Sequence, residues 1–97
     1  MNRTTRTRTK YKYILLKSNS DFTRVYPNSS TEIKSLINAD RVGMCTSIDD
    51  EKLVFIYDSD GNCKGLNLNE VATQLCGYDL YGDLLIRDDA HRFAEIP

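Results

Sequence analysis

The sequence predicts an α+β domain: a single, mostly antiparallel sheet of about five or six strands with two short helices on one face. Three observations lead there. Short runs of aromatic and branched residues recur along the chain, each closed by turn residues. Two other stretches carry a helix cap followed by apolar residues at helical spacing. The connections between strand runs are short enough for hairpins, which makes the sheet mostly antiparallel.

The first strand is YKYILLKS at 11–18, where Tyr11, Tyr13 and Leu15 alternate with Lys12, Ile14 and Leu16. FTRVY at 22–26 follows, and Pro27 marks it as an edge strand, because proline cannot donate to a ladder. Ser29 and Glu32 stand at capping-box spacing. Ile33, Leu36 and Ile37 then form one stripe, predicting an amphipathic helix over about 30–38 that ends near Asn38. RVGMCTSI at 41–48 alternates through Val42, Met44, Thr46 and Ile48, a strand pattern. KLVFIYD at 52–58 is apolar at five successive positions, which suits a strand covered on both faces.

Asp60-Gly61 then reads as a hairpin turn, with CKGLNL as the returning strand. Asn69 is a good N-cap, Glu70 sits where the helix dipole favours an anion, and Gly77 suits the C-terminal end. Val71, Ala72 and Leu75 are the expected apolar stripe of this second helix. The last strand centres on Leu84, Leu85 and Ile86, with Gly82-Asp83 marking a bulge or close backbone contact. Residues 91–97, including His91, read as a tail.

The chain has 97 residues, which implies one domain, here spanning 11–90. Apolar residues make up 40%, below the usual roughly 45–50%, so the core is thin. The longest fully apolar runs are far short of the ~20 residues of a membrane span, and no apolar segment follows the charged N-terminus as in a secretory signal. The expected location is the cytoplasm. Cys45, Cys63 and Cys76 match neither a zinc pattern nor a disulfide framework, and are expected to be reduced thiols.

Charge is divided unevenly. The first twelve residues carry Arg3, Arg6, Arg8, Lys10 and Lys12 with no acid, a charge of +5. The rest holds eight bases against fourteen acids, a charge of −6. Residues 1–10 read as a disordered basic arm, because they offer almost nothing apolar to bury. Such an arm attracts phosphate, so these five cations are the candidate nucleic-acid contacts; the alternative is a passive solubilising tail. A transit peptide would need an amphipathic apolar face that the stretch lacks.

YDSDGNCKGLNLN, 57–69, has the look of a calcium loop. Asp58, Asp60 and Asn62 fit its first, third and fifth positions. Cys63 stands where glycine is needed, however, and Asn69 where a bidentate Glu is needed. Neither a metal nor another cofactor is expected.

The order of elements resembles a group of small uncharacterised proteins of phages, large DNA viruses and mobile elements. In that group an Asn-capped N..AT.L helix is followed by a GD strand. The matching positions here are Asn69, Ala72, Thr73, Leu75, Gly82 and Asp83, and the likeness covers about residues 22–88. The resemblance implies a viral or mobile-element source, where small proteins often act by binding host machinery. It implies no catalytic residue.

No nucleophile stands with a base, and the acids fall in turns, so the chain is expected not to be an enzyme. The expected function is a non-enzymatic accessory protein that binds and modulates a host protein through its acidic body. Tyr26, Tyr57, Tyr78 and Tyr81 are the candidate contacts, since tyrosine is enriched at interfaces. The alternative is a protein that binds or sequesters nucleic acid or small nucleotides with the arm. A homo-oligomer is compatible with either.

Overall fold

The structure, a computed structural model, describes residues 13–90. The elements along the chain are β1 (Tyr13–Leu16), β2 (Phe22–Val25), α1 (Ser30–Leu36), β3 (Val42–Thr46), β4 (Leu53–Asp58), α2 (Glu70–Cys76) and β5 (Leu84–Asp88). The five strands form one antiparallel sheet in the order β2-β1-β5-β4-β3. The α+β class and the antiparallel sheet are as the sequence predicts, and β2 is an edge strand as Pro27 implied.

The position of β5 follows from its composition. Leu84, Leu85 and Ile86 are all buried, so the strand must lie where both faces are covered, at the centre of the sheet. Next to it, β4 buries Val54 and Ile56 on one face and Phe55 on the other. Side chains alternate across a strand, and two adjacent strands apolar on both sides create two cores. One contains Tyr13, Leu15, Val54, Ile56 and Leu85, covered by Ile33, Leu36 and Ile37 of the α1 segment and by Ala39. The other contains Leu16, Phe55, Leu84 and Ile86, covered by Ala72 and Cys76 of α2 and by Leu80. The helices therefore lie on opposite faces of the sheet, not on one.

The expected hairpin at Asp60-Gly61 does not form. The antiparallel neighbours of β4 are β3 and β5, so a returning strand has no edge to join. Instead Asp58, buried at the end of β4, accepts the Asp60 N–H on its carboxylate at 2.8 Å and starts a helical turn. The Lys64 N–H then donates to the Asp60 carbonyl, and the Leu66 N–H to the Gly61 carbonyl. Of the expected returning strand, Leu68 makes a single bridge to Tyr81.

Both helix caps form. Ser29 Oγ accepts the Glu32 N–H at 3.2 Å, and the Glu32 carboxylate returns to the Asn28 N–H at 2.7 Å, one residue before the cap. Asn38 takes the left-handed conformation just past α1. α2 ends at Gly77, whose φ of +95° is left-handed and whose Cα faces Ile48 closely.

The expected stripe of α2 is corrected. Ala72 and Cys76 are buried, while Val71 and Leu75 stand exposed. A seven-residue helix offers a narrow contact face, and the two small side chains let it approach the sheet closely.

Candidate protein-binding surface

α2 is held in place at both ends. At its start, Asn69 is almost wholly buried. Its Oδ1 accepts the Ala72 N–H at 3.1 Å, while its Nδ2 donates to the carbonyls of Leu16 at 3.0 Å and Gly82 at 2.9 Å. One amide thus joins the helix to β1 and to the approach to β5. Thr73 Oγ1 accepts the Leu80 N–H at 3.0 Å, and Asp83 accepts the Ser18 N–H at 3.0 Å. At its other end, Ser47 Oγ donates to the Leu75 carbonyl and the Ile48 N–H donates to the Cys76 carbonyl, both at 2.8 Å. The helix consequently runs across its face from the end of β1 to the end of β3.

This arrangement fixes what the helix shows outward. Val71 and Leu75 on α2, Leu68 just before it and Tyr78 just after it are all exposed, Leu75 by 47% and Tyr78 by 55%. Ile48, 64% exposed, adjoins them where its side chain meets Gly77. The acids Asp49, Asp50 and Glu51 lie in the turn beside Ile48, and Tyr78 shares a hollow with them. Glu70 and Asp79 flank the stripe along the chain, and Lys52 is the base of that turn. The α2 segment thus exposes several large apolar side chains, and the turn beside Ile48 and Tyr78 is acidic.

The structure disperses the four candidate tyrosines. Tyr57 lies across Gly43 of the neighbouring strand, where any Cβ would meet the ring at 2.7 Å. It lines a hollow with Tyr78, Cys45, Thr46, Asp79 and Leu80, so these two tyrosines come together beside the strip. Tyr26 lies apart, in a groove with Pro27, Glu32 and Leu36. Tyr81 packs near Gly61 and bridges to Leu68. Arg3, Arg6, Arg8, Lys10 and Lys12 of the arm, and His91 of the tail, fall outside the described residues.

The six residues of the Asn-capped helix and GD motif are placed mostly as structural parts. Asn69, Ala72, Thr73, Gly82 and Asp83 fasten α2 and the β5 approach, and Leu75 alone of the six side chains belongs to the exposed strip.

Several groups with chemical potential are engaged in local contacts. Asp60 pairs with Arg41 at 2.7 Å, and the hydrogen bond from that guanidinium holds its carboxyl below the usual range. Asp58 pairs with Lys64 at 2.7 Å. Cys45 Sγ lies 3.3 Å from Cys76 Sγ. Burial, and next the hydrogen bond with Cys76, push the Cys45 thiol up to about 12, so it is not the thiolate a nucleophile requires. Among the described residues no group of three or more His, Cys, Asp or Glu is placed to hold a metal ion, and no helix is long and apolar enough to cross a membrane.

No family model, curated protein or solved structure matches the chain.

The exposed strip was partly legible. Val71 and Leu75, four apart, share one helix face in the sequence. Its orientation is not, because Val71 and Leu75 fit a buried stripe equally well. Ile48 reaches the strip through the Cys76 carbonyl, a contact no local pattern encodes.

Proposed function

We propose that the protein is a non-enzymatic binding module, an accessory protein of a virus or mobile element, that engages a host protein through the α2 strip and the adjoining acidic turn. The observation that carries this reading is the set of exposed apolar side chains Leu68, Val71, Leu75, Tyr78 and Ile48, with the acids Asp49, Asp50 and Glu51 in the turn beside Ile48 and Tyr78. Apolar side chains of this size exposed together, rimmed by polar residues, mark interaction surfaces. The acidic turn selects the partner's chemistry: an apolar patch with lysine or arginine beside it. Acidic charge raises the association rate with such a patch and loses that effect once salt screens it over about 8 Å. The ion pairs at Asp58 and Asp60 and the protonated Cys45 support the absence of catalysis.

The test starts from a host-cell lysate: the bound protein is identified, purified and titrated against the chain. Leu75→Asp is expected to weaken binding roughly tenfold or more, and raised salt weakens the wild type. Removal of residues 2–12 leaves binding in place. Full affinity in Leu75→Asp, or affinity insensitive to salt, contradicts the proposal. Binding lost only with the arm, and transferable to generic DNA or RNA, favours the nucleic-acid reading instead.

A further inference from the structure

Two of the three thiols face each other across two elements. Cys45 lies on β3, and Cys76 is the last residue of α2, 31 positions further on. Their sulfurs are 3.3 Å apart, against about 2.0 Å in a disulfide, so roughly 1.3 Å remains to be closed. The two backbones are already tied where the pair sits. The Ile48 N–H donates to the Cys76 carbonyl and Ser47 Oγ to the Leu75 carbonyl, both at 2.8 Å, and Cys76 Sγ lies 3.8 Å from the Thr46 carbonyl oxygen. The end of β3 and the end of α2 therefore separate only if those bonds break.

The pair has one accessible member and one enclosed member. Cys76 is wholly buried. Cys45 is half-buried and opens on the hollow lined by Tyr57 and Tyr78, from which a small reagent reaches its sulfur. Cys63 is exposed and lies on the segment between β4 and α2, outside this arrangement.

We propose that Cys45 and Cys76 are a disulfide-forming pair, closed by exchange with a small aliphatic disulfide and reopened by a small thiol, so that the attachment of α2 to β3 depends on redox conditions. In the first step the Cys45 sulfur gives its proton to solvent and bonds to one sulfur of the reagent, whose other half leaves as a thiolate. In the second step the Cys76 sulfur, deprotonated in the same way, bonds to the Cys45 sulfur and expels the remaining half. The two protein thiols lose two electrons and two protons, and the reagent gains both electrons and becomes two thiols. The first step is slow, because burial pushes the Cys45 thiol up to about 12 and leaves little thiolate. The second is favoured by proximity, since Cys76 already lies beside the sulfur it attacks. The closed bond restrains the unfolded chain across the intervening positions and fastens α2 in the folded one. The inference is independent of what α2 binds.

The experiment equilibrates the full chain carrying Cys63→Ser with oxidised glutathione at mildly alkaline pH. Cys63 is exposed, so the serine leaves the fold intact. The product is then unfolded and treated with iodoacetamide, and its intact mass and proteolytic map are read. It is expected to have lost two hydrogens, to carry neither glutathione nor an alkyl group, and to yield two peptides joined through Cys45 and Cys76. Its melting temperature is expected to exceed that of the reduced chain by roughly 10 °C and to return on addition of dithiothreitol. A chain that keeps both thiols at equilibrium, that stops at the glutathione adduct of Cys45, or that melts no higher when oxidised overturns the proposal. So does a Cys45→Ser, Cys63→Ser chain whose melt rises as much with oxidised glutathione.

Discussion

Asn69→Ala removes a buried side chain that makes three hydrogen bonds. Three backbone groups lose their partner at once: the Ala72 N–H and the carbonyls of Leu16 and Gly82. Loss of the cap costs about 1 kcal/mol. Each carbonyl left buried without a donor adds roughly 1–3 kcal/mol. The sum is about 3–7 kcal/mol, a large share of the ~5–15 kcal/mol that holds a domain together. For a chain of this length it lowers the melting temperature by about 15 °C or more. Denaturant unfolding followed by circular dichroism measures it directly.

Asn69→Asp separates the two roles of the side chain. It keeps an acceptor for the Ala72 N–H but turns a carboxylate towards two carbonyl oxygens. Its loss should therefore match or exceed that of alanine at neutral pH. A carboxyl facing two carbonyl oxygens has its pKa raised in the folded state, so the folded form binds the proton more readily and the variant regains stability as the pH falls. A loss below about 1 kcal/mol in Asn69→Ala, or an aspartate variant as stable as wild type, would refute the view that this amide ties α2 to the sheet.

Three further outcomes follow from particular contacts. Gly77→Ala combines a left-handed backbone with a Cβ built against Ile48, and should destabilise by more than about 1 kcal/mol in the same unfolding assay. The Asp60 carboxyl, held below its ordinary value of 3.8 by the Arg41 hydrogen bond, stabilises the fold above that value and loses the contribution as the pH falls through its lower folded pKa. Arg41→Ala should return the carboxyl towards 3.8 in a carbon-detected NMR titration. Thiol labelling of the native chain at mildly alkaline pH should modify exposed Cys63 rapidly and leave Cys45 and Cys76 until denaturant is added, because Cys76 is buried and the Cys45 thiol is pushed up to about 12.

Local signals were legible in the sequence and long-range ones were not. The caps formed by Ser29, Asn69 and Gly77 each act within a few residues, and each does what its position implies. The doubly apolar run 53–57 correctly announced a strand covered on both sides. It also contained the reason for placing the helices on opposite faces, since two apolar faces require two covers. The Asp60-Gly61 hairpin failed because turn chemistry is necessary for a hairpin and not sufficient. The strand that fills the place beside β4 comes from residues 84–88. The buried role of Asn69 was half visible: the cap follows from the helix pattern, whereas the bonds to Leu16 and Gly82 span 53 and 13 residues. The acidic turn of the candidate surface was visible as composition, and its place beside the end of α2 depends on the Ser47 and Ile48 contacts there.

The central claim is that the outer face of α2 and the adjoining acidic turn form the binding surface. Backbone chemical-shift mapping of the isotope-labelled chain, titrated with the purified host partner, tests it most directly. The account predicts that the perturbed amides cluster at residues 48–51 and 68–79. Shifts confined to the α1 face around Tyr26, or to residues 1–12, would contradict it.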